Sequence, residues 1–149
     1  MGSVRKLNSA GFTLMEVMTA ISLIAIVAAI GMPAFTRALP ALRLKDAARQ
    51  VATELQHVRM RAIARGIPQQ ITFSTSSYIV QQCNGACTNE SGNIALPEGV
   101  TATAATTPRF EPRGTVNTAA AITLSNGAAQ KYVCVTTIGR VNIRDGACS

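Results

Sequence analysis

Residues 11–35 read GFTLMEVMTAISLIAIVAAIGMPAF, and the reading of this stretch decides the fold. Between residues 12 and 35 the only charge is Glu16. A helix rising about 1.5 Å per residue carries such a run across about 36 Å, more than a hydrocarbon core of about 30 Å. The run is therefore expected to form a helix that enters a membrane. An ionised carboxylate there costs about 2.5 kcal/mol or more, so Glu16 reads as functional and in need of a partner.

The flank in front of the run narrows the choice. Residues 1–11 are polar and carry Arg5 and Lys6, the positive flank of an export or membrane-targeting segment. A secretory signal is cut behind its apolar stretch at small residues, and Gly31-Met32-Pro33-Ala34-Phe35 offers no A-x-A pattern. A plain single-pass anchor is the remaining alternative, and it leaves Glu16 and the Gly11–Phe12 junction without a reason. The basic leader ending in Gly11, then Phe12-Thr13-Leu14, Glu16 as the fifth residue after the glycine and a long apolar helix together resemble the class III signal of type IV pilins and type II secretion pseudopilins. The resemblance implies that a prepilin peptidase cuts between Gly11 and Phe12 and N-methylates Phe12. It also implies that, in a filament, the Glu16 carboxylate faces the N-terminal amine of a neighbouring subunit. Two charges that are costly apart in an apolar core become tolerable as a pair, and removing one strands the other at about 3–5 kcal/mol.

Past Gly31 and Pro33, which should kink the helix, Leu44, Ala48, Val51, Leu55, Val58 and Ala62 step by four and three and form one apolar stripe. Charged residues from Arg43 to Arg61 fill the other faces. Pro40 is expected to add a second bend or a short break, and Gly66 with Pro68 should stop the helix near Arg65. From residue 69 the composition shifts to Thr, Val, Ile and Ser between turn clusters. Strands are expected at 70–74, 78–82, 100–104, 121–125, 131–136 and 140–143, with 104–119 as the most mobile loop. The expected fold class is α+β: a type IV pilin-like roll, its long bent N-terminal helix transmembrane in the first half and packed on an antiparallel β-sheet in the second. The organisation that follows is a leader at 1–11, a transmembrane or filament-core helix at 12–35 and a periplasmic globular domain at 36–149.

Four cysteines, Cys83, Cys87, Cys134 and Cys148, all follow the apolar run, on the side that would be exported. An even count there suggests two disulfides, for which three pairings are open. Locality favours Cys83–Cys87, closed over Asn84-Gly85-Ala86, and Cys134–Cys148, preceded by the Asp145-Gly146 turn. A zinc site competes poorly, because the paired C-x2-C spacing is missing and the one histidine, His57, sits on the expected helix. No metal or other cofactor is expected.

The chain carries 14 Lys+Arg against 7 Asp+Glu, a net charge of +7. Removing the leader with Arg5 and Lys6 still leaves an excess of basic residues, a balance that suits polyanions but is also common on exported domains. In 139–144, GRVNIR, alternation places Arg140, Asn142 and Arg144 on one strand face and Val141 and Ile143 on the other. Neighbours on one face stand about 6.6 Å apart, within reach of successive nucleic-acid phosphates. The segments AARQVATELQHVRMRAIARGIPQQITF and VCVTTIGRVNI resemble the FimT/FimU/GspH family of minor pilins and pseudopilins, some of which act as DNA receptors in natural transformation through a G-R-x-R stretch. Here Asn142 stands where the second arginine of that pattern would be, and Arg144 follows one strand step later. The resemblance implies a DNA-binding set of Arg140, Asn142 and Arg144, which Lys131, Arg109 and Arg113 would extend. With only Tyr78, Tyr132 and four Phe available for stacking, such binding would follow the double-stranded backbone and weaken with salt. The competing reading is that these arginines solvate a sheet face, while Arg59, Arg61 and Arg65 offset a helix C-terminal dipole.

Catalysis finds no support: GxSxG, HExxH and a phosphate-cradling glycine loop are all missing, and the carboxylates are scattered along the chain. The expected function is that of a minor type IV pilin in pilus assembly, located in the bacterial inner membrane with its domain in the periplasm and then in the pilus. Its expected partners are other pilins, the prepilin peptidase, the inner membrane and double-stranded DNA. The alternative is a GspH-like minor pseudopilin of a type II secretion system.

Overall fold

The computed structural model describes residues 12–148; the leader expected at 1–11, with Gly11 of the expected junction, lies outside them. The chain divides into two units, Met1–Ala38 and Leu39–Ser149. One helix, α1 (Leu14–Arg65), supplies residues to both. Thr13 caps its start: the Glu16 amide donates to the Thr13 hydroxyl at 3.3 Å, satisfying one of the first-turn donors. In the first unit the helix exposes Leu14, Met15, Val17, Met18, Ile21, Leu23, Ile24, Ile26 and Val27, which point in every direction around its axis.

The expected break at Pro40 does not occur, and the chain stays helical at Gly31 and Pro33 as well. A proline removes only its own donor, so the turns on either side can keep the helical conformation. Among the described residues no helix is long and apolar enough to cross a membrane. The apolar run read from sequence includes side chains at 30, 33 and 34 that lie outside the described ones.

In the second unit the predicted stripe is the buried one. Leu44, Ala48, Val51, Leu55, Val58 and Ala62 are all at most 2% exposed, and Ala47 and Ala52 widen the face. They form one core with Ile71, Tyr78, Val80, Phe110, Ile122, Leu124, Val133 and Val135 from the strands. Small alanines let the helix lie close, and the branched residues of both layers interdigitate.

A single sheet was the expectation; there are two antiparallel ones. The first runs β3 (Ala86–Asn89), β2 (Ser77–Asn84), β1 (Gln69–Phe73), β6 (Arg109–Phe110), with β4 (Ile94–Ala95) also paired to β2. The second runs β5 (Thr101–Ala104), β7 (Ala120–Ser125), β8 (Gln130–Val135), β9 (Val141–Arg144). Strands β3, β4 and β6 were not foreseen: two are only two residues long, and β3 is exposed throughout, so none carries an alternating apolar signature. The segment 104–119 likewise departs from the loop expected of it. Phe110 and Val116 are buried in the core, and the Val116 amide donates to the Thr137 carbonyl at 2.8 Å.

One buried group is at odds with this core. Gln69 is 0% exposed, and neither its amide oxygen nor its nitrogen has a hydrogen-bond partner among the described residues. A buried amide left unpaired costs about 1–3 kcal/mol. Gln69→Met, close in shape and without the polar atoms, is therefore expected to raise stability by about 1 kcal/mol or more in urea melts; a loss would show that the amide is satisfied in solution.

Tyr78 is a second polar group in the core, and it is partnered. Gln50 Nε2 donates to its hydroxyl at 3.3 Å. Burial raises its pKa above the ordinary value; the Gln50 bond opposes this, and the Glu54 charge adds to it. The unfolded chain thus releases this proton first, near pH 10, while the folded chain still holds it. Stability linked to Tyr78 is present below about pH 10 and falls as pH climbs from there through the folded pKa. Urea melts at about pH 9 and about pH 11 should show a steeper loss for the native chain than for Tyr78→Phe.

Candidate functional site

Two regions hold the residues singled out by sequence. In the first unit, Glu16 sits in the first turn of α1, where a negative charge suits the helix dipole, beside a groove of Phe12, Val17, Ala20 and Ile21. Thr13-x-x-Glu16 also matches a capping box, a local role for Glu16 that the sequence reading missed.

The second region is the hairpin of β8 and β9. Its register pairs Tyr132 with Arg144, Cys134 with Asn142 and Val135 with Val141. The Thr136 amide donates to the Arg140 carbonyl at 3.0 Å, and the Arg140 amide donates to the Thr136 hydroxyl at 3.2 Å. Arg140 therefore precedes the strand yet keeps step with it, so Arg140, Asn142 and Arg144 share the face of Thr136, Cys134 and Tyr132. Both arginines are exposed and Asn142 is partly buried. Lys131 does not join them. It alternates with Tyr132 onto the opposite face, pairs in register with Leu124, and its ammonium is held by Asp145. On the core face Val141 packs against the main cluster, whereas Ile143 is 42% exposed.

Both local disulfides are present, one in each sheet. Cys83 and Cys87 stand opposite each other across the β2–β3 pair, with Cα atoms 4.0 Å apart. Cys134–Cys148 ties the tail to β8, with Cα atoms 5.6 Å apart. Among the described residues no group of His, Cys, Asp and Glu could hold a metal ion.

The turn at 136–140 is fixed from the helix by a contact the sequence did not reveal. Arg59 Nε donates to the Gly114 carbonyl at 2.9 Å, and its Nη2 donates to the Ile138 carbonyl at 3.3 Å. Arg59 thus joins α1, the 111–116 loop and the hairpin turn, well beyond offsetting a dipole. Gly139, with φ of 78°, lies so close that a Cβ there would meet the Gly114 oxygen at 2.0 Å. Arg61 and Arg65 are also engaged across the fold. Arg61 pairs with Glu54 at 2.7 Å and reaches Glu90 at 3.9 Å, and Arg65 pairs with Glu90. Arg109 Nε lies 3.3 Å from Glu111 Oε1, an ion pair without hydrogen-bond alignment.

A family model described as "Prokaryotic N-terminal methylation motif" matches residues 6–32. A second, "Type II transport protein GspH", matches residues 47–139, which hold most of the buried part of the helix and every strand from β1 to β8. Over 60 residues the chain is 35% identical to Type II secretion system protein H of Xanthomonas campestris pv. campestris, covering 40% of this chain and 36% of that relative's length. The fold is shared with the type IV minor pilin FimU of Pseudomonas aeruginosa, at a TM-score of 0.53 and 17% identity over 70% of this chain and 97% of the other. It is also shared with the minor pseudopilin EpsH of Vibrio cholerae, at a TM-score of 0.59 and 14% identity over 69% of this chain and 97% of the other. With the apolar helical stripe from Ala48 to Ala62 and strands β1 to β8 inside the matched residues, the chain belongs to the GspH family of minor pilins and pseudopilins.

Proposed function

We propose that this chain is a minor subunit of a type IV pilus, cut by a prepilin peptidase between Gly11 and Phe12, N-methylated at Phe12, and held in the inner membrane by residues 12–35 until it joins the filament. The supporting observation is the first half of α1: its apolar side chains are exposed on every side, and a helix apolar all round is one that a membrane or other helices cover. Glu16 then meets the N-terminal amine of a neighbouring subunit. The two disulfides suit a globular domain in the oxidising periplasm. The role is structural, with other pilins as partners. Mass spectrometry of the N-terminal peptide tests it: a peptide starting at N-methylated Phe12, absent from a peptidase-deficient host, is expected, and an intact Met1 terminus on assembled protein overturns it.

The second reading, a pseudopilin of a type II secretion system, is favoured by the Xanthomonas relative and the Vibrio fold match. Deletion of the chain separates the two. Loss of surface fibres with secretion intact supports the pilus, and the reverse supports the secretion system.

DNA binding is a finer proposal on the same chain. The exposed Arg140 and Arg144, on one face with Asn142, would contact successive phosphates without reading sequence. Duplex binding should fall steeply with salt and be lost in Arg140→Gln/Arg144→Gln; unchanged binding in that variant would remove the assignment.

A further inference from the structure

Each carboxylate of the second unit already faces a base of its own chain. Asp46 pairs with Arg49, Glu54 with Arg61, Glu90 with Arg65, Glu98 with Arg43, Glu111 with Arg109, and Asp145 with Lys131. The excess positive charge is thereby left on particular residues. Two of these, Arg113 and Arg140, are exposed and have no carboxylate partner among the described residues. They are brought together by the glycines beside them: Gly114 and Gly139 are buried and in near contact, with Arg59 bonded to the backbone of both segments.

The same junction presents apolar side chains to the outside. Ile138 is 66% exposed on the turn, and Ile63 is 43% exposed on the helix, with its Cδ1 against Gly114. Met60, one helical turn from Ile63, is 62% exposed. Holding a large branched side chain in water on a turn fixed by Arg59 does nothing for the fold. A small apolar centre with a basic rim is the pattern of a docking surface.

We propose that Ile63 and Ile138, rimmed by Arg113 and Arg140, dock the globular head of a different subunit of the same filament, one that presents carboxylates around an apolar side chain. This rests on the filament reading above. Charge decides the occupant. A second copy of this chain would bring carboxylates already engaged by its own bases, so the complementary acidic face must come from another chain.

The test uses the full chain in its host, with a photo-crosslinking amino acid at Ile138 and, as control, at the exposed Thr103 on β5. The expected result is an adduct about tenfold stronger at 138 than at 103. Its crosslinked peptide should come from another chain with the leader-type methylation motif and contain Asp or Glu. Arg113→Glu/Arg140→Glu should cut that adduct by about tenfold while leaving the melting curve unchanged. Equal adducts at both positions, an adduct with a second copy, or a nuclease-sensitive adduct each overturn the proposal. Filament incorporation is scored in parallel: a chain that assembles without the adduct sinks the docking surface alone, and a chain that never assembles sinks the filament reading as well.

Discussion

Glu16→Ala is expected to leave the chain processed and inserted but to lower its incorporation into filaments by about a hundredfold or more. Stranding the amine of a neighbouring subunit in an apolar core costs about 3–5 kcal/mol, and each 1.36 kcal/mol is a factor of ten. The structure adds a rival explanation that has to be separated, because Glu16 also lies at the third position of a helix capped by Thr13. Two further variants do so. Thr13→Ala keeps the charge and weakens the cap by about 1 kcal/mol, so under the pairing account it assembles almost normally. Glu16→Gln keeps a side chain able to bond the backbone and lacks the charge, so it should fail as Glu16→Ala does. Filament incorporation measured by immunoblot of sheared fibres decides between them. If Glu16→Gln assembles and Thr13→Ala does not, the carboxylate works as a cap and the inter-subunit pair is wrong.

Gly139→Ala should be the most damaging single-methyl change in the globular unit, at about 3 kcal/mol or more of lost stability. The added Cβ would lie 2.0 Å from the Gly114 oxygen and 2.8 Å from Arg59 Nε, and the φ of 78° disfavours any side chain. The neighbour that must yield is backbone, held in place by the bond Arg59 donates to it at 2.9 Å. Gly85→Ala provides the comparison: its φ is also positive, at 83°, but nothing lies within 4 Å of the new atom. Backbone strain alone should make that change cost about 1–2 kcal/mol. Urea melts of residues 39–149, whose core is drawn wholly from residues 44–141, measure both. Equal losses at the two glycines would show that the Gly114–Gly139 approach carries no weight. A loss at Gly139 alone would identify the 114–139 junction as a rigid support for the surface around Ile138.

How much was legible in the sequence varied by element. The apolar stripe from Leu44 to Ala62 was readable because helical spacing and burial share one period, and every one of its members is buried. Strands β1, β2, β5, β7, β8 and β9 were found within about one or two residues, since alternation and turn residues mark them locally. The Cys83–Cys87 and Cys134–Cys148 pairs were readable from locality, each joining residues near enough in sequence for a turn to bring them together.

What tertiary structure decided lay between elements. That the strands divide into two sheets depends on which edges stay apart, and no local pattern encodes it. Short β6 exists because Phe110 is drawn into the core, where it and Arg109 pair with β1. Lys131 parted from Arg140 and Arg144 because register sets faces, and a single residue step places a side chain on the other side of the sheet. Arg59 was read as a dipole partner from its place near the end of α1, but its two acceptors are carbonyls 55 and 79 residues further along the chain. The sequence by itself thus determined the periodic faces, the local pairs and the N-terminal methylation motif, all of which are set over short stretches of chain. Packing decided which distant segments meet, and the exposed surface at Ile63, Ile138, Arg113 and Arg140 is built from three such segments.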